Sequence, residues 1–208
     1  MTHAFARLTC LAFAVVAASA WAQTPTVVPS EFGDEFYRPR SGQAGKDVVW
    51  VPTPDLLVTR MLQAAKVTDK DVVYDLGAGD GKIPIAAARD FKARSVGIEY
   101  NPEMAALARR NVERAGVVDR VKIITGDIFE QDFSEATVVT LYLLPSMMGE
   151  VEAKLRKELK PGTRVVSHDY PLPSWTPIDV VTFDTSEKVP ISGTTRTVLL
   201  LYRVSEVR

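Results

Sequence analysis

Asp75-Leu76-Gly77-Ala78-Gly79-Asp80-Gly81 closes a short apolar run and leads into a helical pattern beginning near Lys82. A strand that runs into glycines and then a helix leaves side-chain-free backbone at the carboxyl edge of a sheet, where open α/β proteins bind ligands. Three kinds of loop can do this, and spacing separates them. A nucleoside triphosphate loop needs Gly, four residues, then Gly-Lys and Ser or Thr. Counting back from Gly81-Lys82 puts Leu76 where the first glycine belongs, and Ile83 follows the lysine. A dinucleotide fingerprint needs Gly or Ala three residues after its second glycine, and from Gly79 that position is Lys82. Both phosphate readings fail, which leaves Asp-x-Gly-x-Gly-x-Gly with the aspartate at the end of a strand.

On either side of this loop, short runs rich in β-branched residues alternate with longer helical patterns, the signature of a parallel sheet covered on both faces. Strands are expected at 71–76, 95–99, 121–125, 137–143 and 164–167, with helices filling the gaps. Thr53-Pro54-Asp55 opens a helix before the first strand, Thr53 serving as cap and Pro54 as first helical residue. Asn101-Pro102-Glu103 starts another that runs to about Arg114 and stops at Gly116. A further helix over 146–159 ends at Lys160-Pro161-Gly162. The last two runs, 180–183 and 195–204, are separated by a polar stretch too short for a crossover helix, so they pair antiparallel at one sheet edge. The expected class is therefore α/β: a doubly wound, seven-stranded, mostly parallel sheet with an antiparallel C-terminal strand pair.

The totals agree with one ordinary globular core: 208 residues, 46% apolar and 25% charged. The net charge of −1, with Lys and Arg scattered among acids, gives no reason to expect nucleic acid as a partner. Residues 1–22 read as a signal peptide, with Arg7 as the positive start, an apolar run from Leu8 to Ala20, and Ala20-Trp21-Ala22 as a small-x-small cleavage site before Gln23. That run is shorter than the roughly 20 residues that span a bilayer, so no transmembrane segment is expected in the mature chain. The expected address is periplasmic or secreted; initiation near Val27 would instead leave a cytoplasmic protein. Residues 23–49 form an N-terminal arm and 50–208 the main domain. The sole cysteine, Cys10, lies inside the signal, so the mature chain has no disulfide, thiolate metal site or cysteine nucleophile.

The loop resembles the first motif of Rossmann-type, seven-strand methyltransferases that use S-adenosyl-L-methionine. The resemblance implies a Rossmann-like methyltransferase fold, with Gly77 and Gly79 along the methionine part of the cofactor and Asp75 ordering the loop and its waters or reaching the ammonium group. That cofactor has a sulfonium and a zwitterionic amino acid but no phosphate, so Asp75 and Asp80 are tolerable beside it and would repel a pyrophosphate. Glu99 ends the second strand about 20 residues further on, where a carboxylate can accept hydrogen bonds from both ribose hydroxyls. In Gly126-Asp127-Ile128 the resemblance places Asp127 near the adenine amino group and Ile128 against the ring.

A narrower resemblance rests on Val51-Pro52-Thr53-Pro54, the Asp75–Ile83 stretch and Thr140-Leu141-Tyr142-Leu143-Leu144-Pro145. Over residues 50–175 the chain is similar to a group that includes the mitochondrial protein-lysine methyltransferases of the ATP synthase c-subunit and the adenine nucleotide translocase. The implied acceptor is a protein lysine. A small-molecule acceptor, or a module that binds the cofactor without turnover, stays open. The Asn/Asp-Pro-Pro-Tyr box of many amino-group DNA and glutamine methyltransferases is absent.

Methyl transfer to an amine needs alignment, exclusion of water and an unprotonated nucleophile. Tyr142 can hydrogen-bond that amine, and the loop through Trp50, Pro52 and Thr53 can close above it, with Pro145 counted among the substrate-loop residues. His168, the single histidine outside the signal, is either a base or a hydrogen-bonding structural residue. With Asp169 alone beside it, it lacks the further ligands of a metal site, so no metal is expected. Trp175 covers the core or lines the substrate mouth. No sequence feature specifies an oligomeric state.

Overall fold

Val72–Leu76 (β1) is buried at every position, as a central strand covered on both faces must be. The structure is a computed structural model that describes residues 37–40, 42, 51–189 and 193–205; the expected signal, most of the arm and Trp50 lie outside the described residues. Around β1 come α1 (Asp55–Ala64), α2 (Lys82–Phe91), β2 (Arg94–Glu99), α3 (Pro102–Arg114), β3 (Val121–Thr125), β4 (Val138–Leu141), α4 (Met148–Glu158), β5 (Arg164–His168), β6 (Asp179–Asp184) and β7 (Arg196–Arg203). The seven strands form one sheet in the order β3-β2-β1-β4-β5-β7-β6. β1 to β5 pair in parallel, and β7 runs against both β5 and β6. β6 therefore points the same way as the five parallel strands, and β7 alone is reversed.

Alternation along the strands sorts the core. Val73, Val138, Val166 and Leu199 face α1 and α2, where Leu57, Met61, Leu62 and Ile83 meet them. On the opposite face Tyr74, Leu76, Val139, Leu141 and Tyr202 pack with Met148, Val151 and Leu155 of α4. At the N-terminal edge Arg164 pairs with Asp71, which accepts from Thr137 Oγ1 at 2.7 Å, while the same guanidinium donates to the Ala65 and Lys66 carbonyls. This network ties the end of α1 to β1, β4 and β5.

Several expected boundaries moved, each for a local reason. Pro54, not Thr53, occupies the cap of α1: its carbonyl accepts the first helical bond, from Val58 N at 3.0 Å, and no side chain caps. No helix fills the gap between β3 and β4, all of which lies among the described residues. Asp127 and Asp132 accept from the backbone N–H groups of Phe129 and Ser134, at 3.0 and 2.8 Å, and such local bonds compete with helix formation. The connection instead buries Phe133, with the Lys154 ammonium 4.9 Å from its ring centroid. β4 is shorter than 137–143, since Tyr142 to Leu144 leave the sheet toward a single 3-10 turn, Pro145–Met147, that delays α4 to Met148. The helix over Pro102–Arg114 is as expected: Asn101 accepts from Glu103 N and Met104 N at 2.9 and 3.1 Å.

Gly97 on β2 shows how tightly the sheet meets the glycine loop. A Cβ there would lie 2.7 Å from the Ala78 Cβ, 2.9 Å from the Ile123 Cδ1 and 3.1 Å from the Pro84 Cγ. Gly97→Ala is expected to destabilise the chain by about 1–3 kcal/mol through overpacking. Gly149→Ala, on an exposed turn of α4 with nothing within 4 Å, is expected to cost nothing. Paired thermal denaturation of the two variants checks the difference.

Candidate active site

The loop after β1 is shaped by backbone. Gly77, Gly79 and Gly81 have φ of +85°, +54° and +85°, the left-handed region that glycine enters freely. Gly77 N and Ala78 N both donate to the Ile98 carbonyl, at 3.0 and 2.9 Å, so the loop turns back over the end of β2. There Glu99 holds it: Oε2 accepts from Gly79 N and Oε1 from Asn101 N, each at 2.9 Å. One carboxylate thus joins the glycine loop to the start of α3. Burial pushes the Glu99 carboxyl above its ordinary range, against the backbone N–H groups that bond it.

Asp75 lies at the centre. It is 3% exposed, and its carboxylate accepts from Thr140 Oγ1 of β4 at 2.6 Å. Burial pushes its pKa up to about 7; Thr140 opposes the rise, and the charges of Glu99 and Asp80 add to it. Burial likewise raises Asp80, against the pull of Lys82. Asp80 is fixed through its carbonyl, which accepts from Asn111 Nδ2 at 2.8 Å. Asp127 sits after β3 beside the buried Ile128. The ends of β1, β2 and β3 and the glycine loop therefore carry Asp75, Glu99, Asp127 and Asp80. Such a cradle suits a ligand with cationic and hydroxyl groups and opposes a pyrophosphate. It fits S-adenosylmethionine: Gly77, Gly79, Asp75 and Asp80 would hold the amino-acid end, Glu99 the ribose, and Asp127 and Ile128 the adenine.

Across the crevice lies the end of β4. A Cβ on Gly77 would meet the Leu143 Cδ2 at 3.0 Å, so the glycine loop and the end of β4 are in contact. Tyr142 is half-buried, and its ring centroid lies 4.0 Å from that of His168 at an interplanar angle of 38°. Burial, with Asp169 and Tyr170 nearby, pushes the Tyr142 phenol up to about 12. His168 is 1% exposed, and among the described residues neither ring nitrogen has a hydrogen-bond partner. Burial, with the Lys188 charge adding to it, lowers its pKa to about 4 against the pull of the Asp169 charge. The imidazole is neutral at physiological pH.

Pro52 and Thr53 are half-buried, and the Thr53 carbonyl accepts from Lys82 Nζ at 3.3 Å, while the same ammonium meets Asp55 Oδ1 at 2.8 Å. The first residue of α2 thereby ties the segment before α1 to the glycine loop. Pro145 is exposed at the start of its 3-10 turn. Trp175 packs on Tyr202, centroids 6.1 Å apart, with the Arg156 guanidinium 4.8 Å from its ring, so it covers the core. Thr140, Lys82 and Lys188 went unsingled in the sequence. Thr140 had a findable signal, because a hydroxyl at the middle of an otherwise apolar strand calls for a partner.

A seven-stranded sheet with β7 reversed, a glycine loop after β1 and acids ending β1 and β2 define the Rossmann-like S-adenosylmethionine-dependent methyltransferases. Within that class, the model of the ANTKMT methyltransferase domain matches residues 75–179, half of the chain, and the chain belongs to this family. It is 51% identical over 135 residues to a protein-lysine N-methyltransferase of Saccharolobus islandicus, covering 64% of this chain and 84% of that one. It is 39% identical over 109 residues to the adenine nucleotide translocase lysine N-methyltransferase of Mus musculus, covering 52% of this chain and 48% of that protein. A crystal structure described as an RNA methyltransferase from Salinibacter ruber, in complex with S-adenosyl-L-homocysteine, superposes with a TM-score of 0.68 at 46% identity, covering 76% of this chain and 96% of that one. The relatives agree on the chemistry and differ in the acceptor named.

The raised Asp75 pKa sets a pH dependence. Its protonated form favours the ligand-free fold, so that contribution is present below the ordinary carboxylate pKa and is lost as pH rises through about 7. A cationic ligand group favours the ionised form. Calorimetric affinity for S-adenosylhomocysteine is expected to rise by up to about tenfold per pH unit below 7 and to level off above it. Asp75→Asn is expected to bind more weakly and to abolish that slope.

Proposed function

We propose that this chain transfers a methyl group from S-adenosyl-L-methionine to the side-chain amine of a protein lysine. The observation that carries the reading is the pairing of a carboxylate-lined cradle with an uncharged aromatic wall, Tyr142 on His168, at the end of β4. The lysine enzymes among the relatives support the same acceptor. The bound cofactor supplies an electrophilic methyl group on a sulfonium.

The chain's own residues do the rest. Asp75, Glu99 and Asp127 hold the donor, and the contact of Leu143 with Gly77 keeps water from the space between loop and strand. A lysine amine has an ordinary pKa near 10.4 and must shed its proton before it can attack; desolvation against Tyr142, Leu143 and Pro145 favours the neutral form. The Tyr142 phenol stays protonated and can accept from, or donate to, the amine. His168, with little basicity, serves as the wall behind Tyr142 and adds no cation where a sulfonium and an ammonium must meet. Pro52 and Thr53, tied to the start of α2 through Lys82, would close over the acceptor.

Incubation with methyl-labelled cofactor and separated protein, RNA and small-molecule fractions tests the reading. Label is expected in protein, resistant to ribonuclease and located on lysine by mass spectrometry. Label confined to RNA, as the name of the Salinibacter enzyme would suggest, or to metabolites would overturn it. Tyr142→Ala is expected to lower kcat/KM by roughly 100-fold through lost alignment, with cofactor affinity retained.

We further propose that residues 1–22 direct export, on the strength of Arg7, the apolar run and the Ala20-Trp21-Ala22 site. Sequencing the natural N-terminus is expected to return Gln23. A terminus near Val27 with cytoplasmic fractionation would instead favour internal initiation.

A further inference from the structure

β5 ends on His168, and the next residue, Asp169, adopts φ of +63°, a conformation rare outside glycine. Two bonds to β7 hold it there: Asp169 N donates to the Val198 carbonyl at 2.8 Å, and Val198 N donates to Asp169 Oδ1 at 3.1 Å. Its other oxygen, Oδ2, is left between two nitrogen groups. His168 Nε2 lies 3.3 Å away without a hydrogen bond, and the Lys188 ammonium sits closer, in direct ion-pair contact. Lys188 comes from a second 3-10 turn, Ser186–Lys188, and is 3% exposed, with Nζ also donating to the Arg196 carbonyl at 2.6 Å. A cation so deeply buried is costly unless paired, so its placement calls for a reason.

We propose that Lys188 is a positioning residue: by occupying the Asp169 carboxylate it keeps the His168 imidazole unprotonated behind Tyr142, where the methyl acceptor binds. The inference rests on the acceptor reading given above. The groups facing the imidazole are Asp169 at the end of β5, Lys188 from the 3-10 turn and Tyr142 from the end of β4, with Tyr170 beside Tyr142. With Lys188 in place, the carboxylate is matched by the ammonium and the ring is neutral. Without it, Asp169 would have only His168 as a counter-charge; Nε2 would take a proton from solvent and become imidazolium. That cation would lie against Tyr142 and repel both the sulfonium and the incoming lysine ammonium. Burial and the Lys188 charge hold the imidazole near pKa 4 against the pull of Asp169, in the same direction as the geometry.

The chain has two histidines, His3 and His168, so imidazole nitrogen NMR of the full chain, with His3→Gln used for assignment, reads the ring directly. In the wild type, His168 is expected to stay neutral down to about pH 5, well below the ordinary histidine value of about 6.5. Lys188→Met is expected to move its midpoint to about 6.5 or above, and Lys188→Arg, which keeps the charge, to restore the low midpoint. The ratio of Lys188→Met to wild-type methyl transfer is expected to fall at least about fourfold between pH 9 and pH 6, as a group titrating at about 6.5 or above requires. A wild-type midpoint near the ordinary value, or unchanged titration in Lys188→Met, overturns the proposal. Should Lys188→Met fail to fold, the Asp169→Asn, Lys188→Met double variant, lacking both charges, is expected to titrate low like the wild type; a near-neutral midpoint there overturns it equally. Because the titration needs no substrate, its outcome is independent of whether lysine is the acceptor.

Discussion

The pairing of β1 with β4 is the constraint on which the site depends. From these two strands the sheet grows in opposite directions, to β2 and β3 on one side and to β5, β7 and β6 on the other, so a crevice opens above their carboxyl ends. Register places Asp75 opposite Thr140, and the hydroxyl of one bonds the carboxylate of the other inside the sheet. That bond fixes where β1 releases the glycine loop and where β4 releases Tyr142. The glycine loop and the Tyr142 segment are thus two exits from one strand pair, and a slip of one residue in either strand would put Asp75 and Thr140 on opposite faces of the sheet.

Charge is distributed unequally across the crevice. On the side of the glycine loop, burial raises the pKa values of Asp75, Asp80 and Glu99, with the neighbouring carboxylates adding to the rise at Asp75, and a cationic ligand group would oppose it. At the end of β4, Tyr142 lies on the buried His168 ring, and Asp169 and Lys188 form an ion pair beside it. A sulfonium is accommodated only where the walls supply negative charge or none. The fold meets that requirement with residues from five different segments of chain.

Local signals were the legible ones. Asn101 and Pro102 marked a helix start that the structure keeps to the residue, because a cap is decided by its own few neighbours. The glycine spacing excluded two ligand classes and selected a third for the same reason. Asp75, Glu99 and Asp127 could be placed because each ends or follows a strand whose order was readable. What escaped depended on partners distant in sequence: Lys82 on the Thr53 carbonyl, Thr140 on Asp75, and Lys188 on Asp169. The connection from β3 to β4 was misread as a helix, since the turn-forming bonds of Asp127 and Asp132 do not show in a hydrophobic period.

β6 ends the sheet, and among the described residues only one of its edges is paired. A strand edge left unpaired among the described residues, carrying Val180 and Val181, is a template on which further copies could stack. Its sequence, however, begins and ends with Asp179 and Asp184. If two copies aligned these strands in the symmetric antiparallel register, each Asp179 would face an Asp184 of the other, and like charges directly opposed destabilise such a pair. The terminal aspartates therefore act as bumpers, discouraging end-to-end polymerisation of a sheet whose other edge strand, β3, is shielded by Arg109 reaching the Ile123 carbonyl.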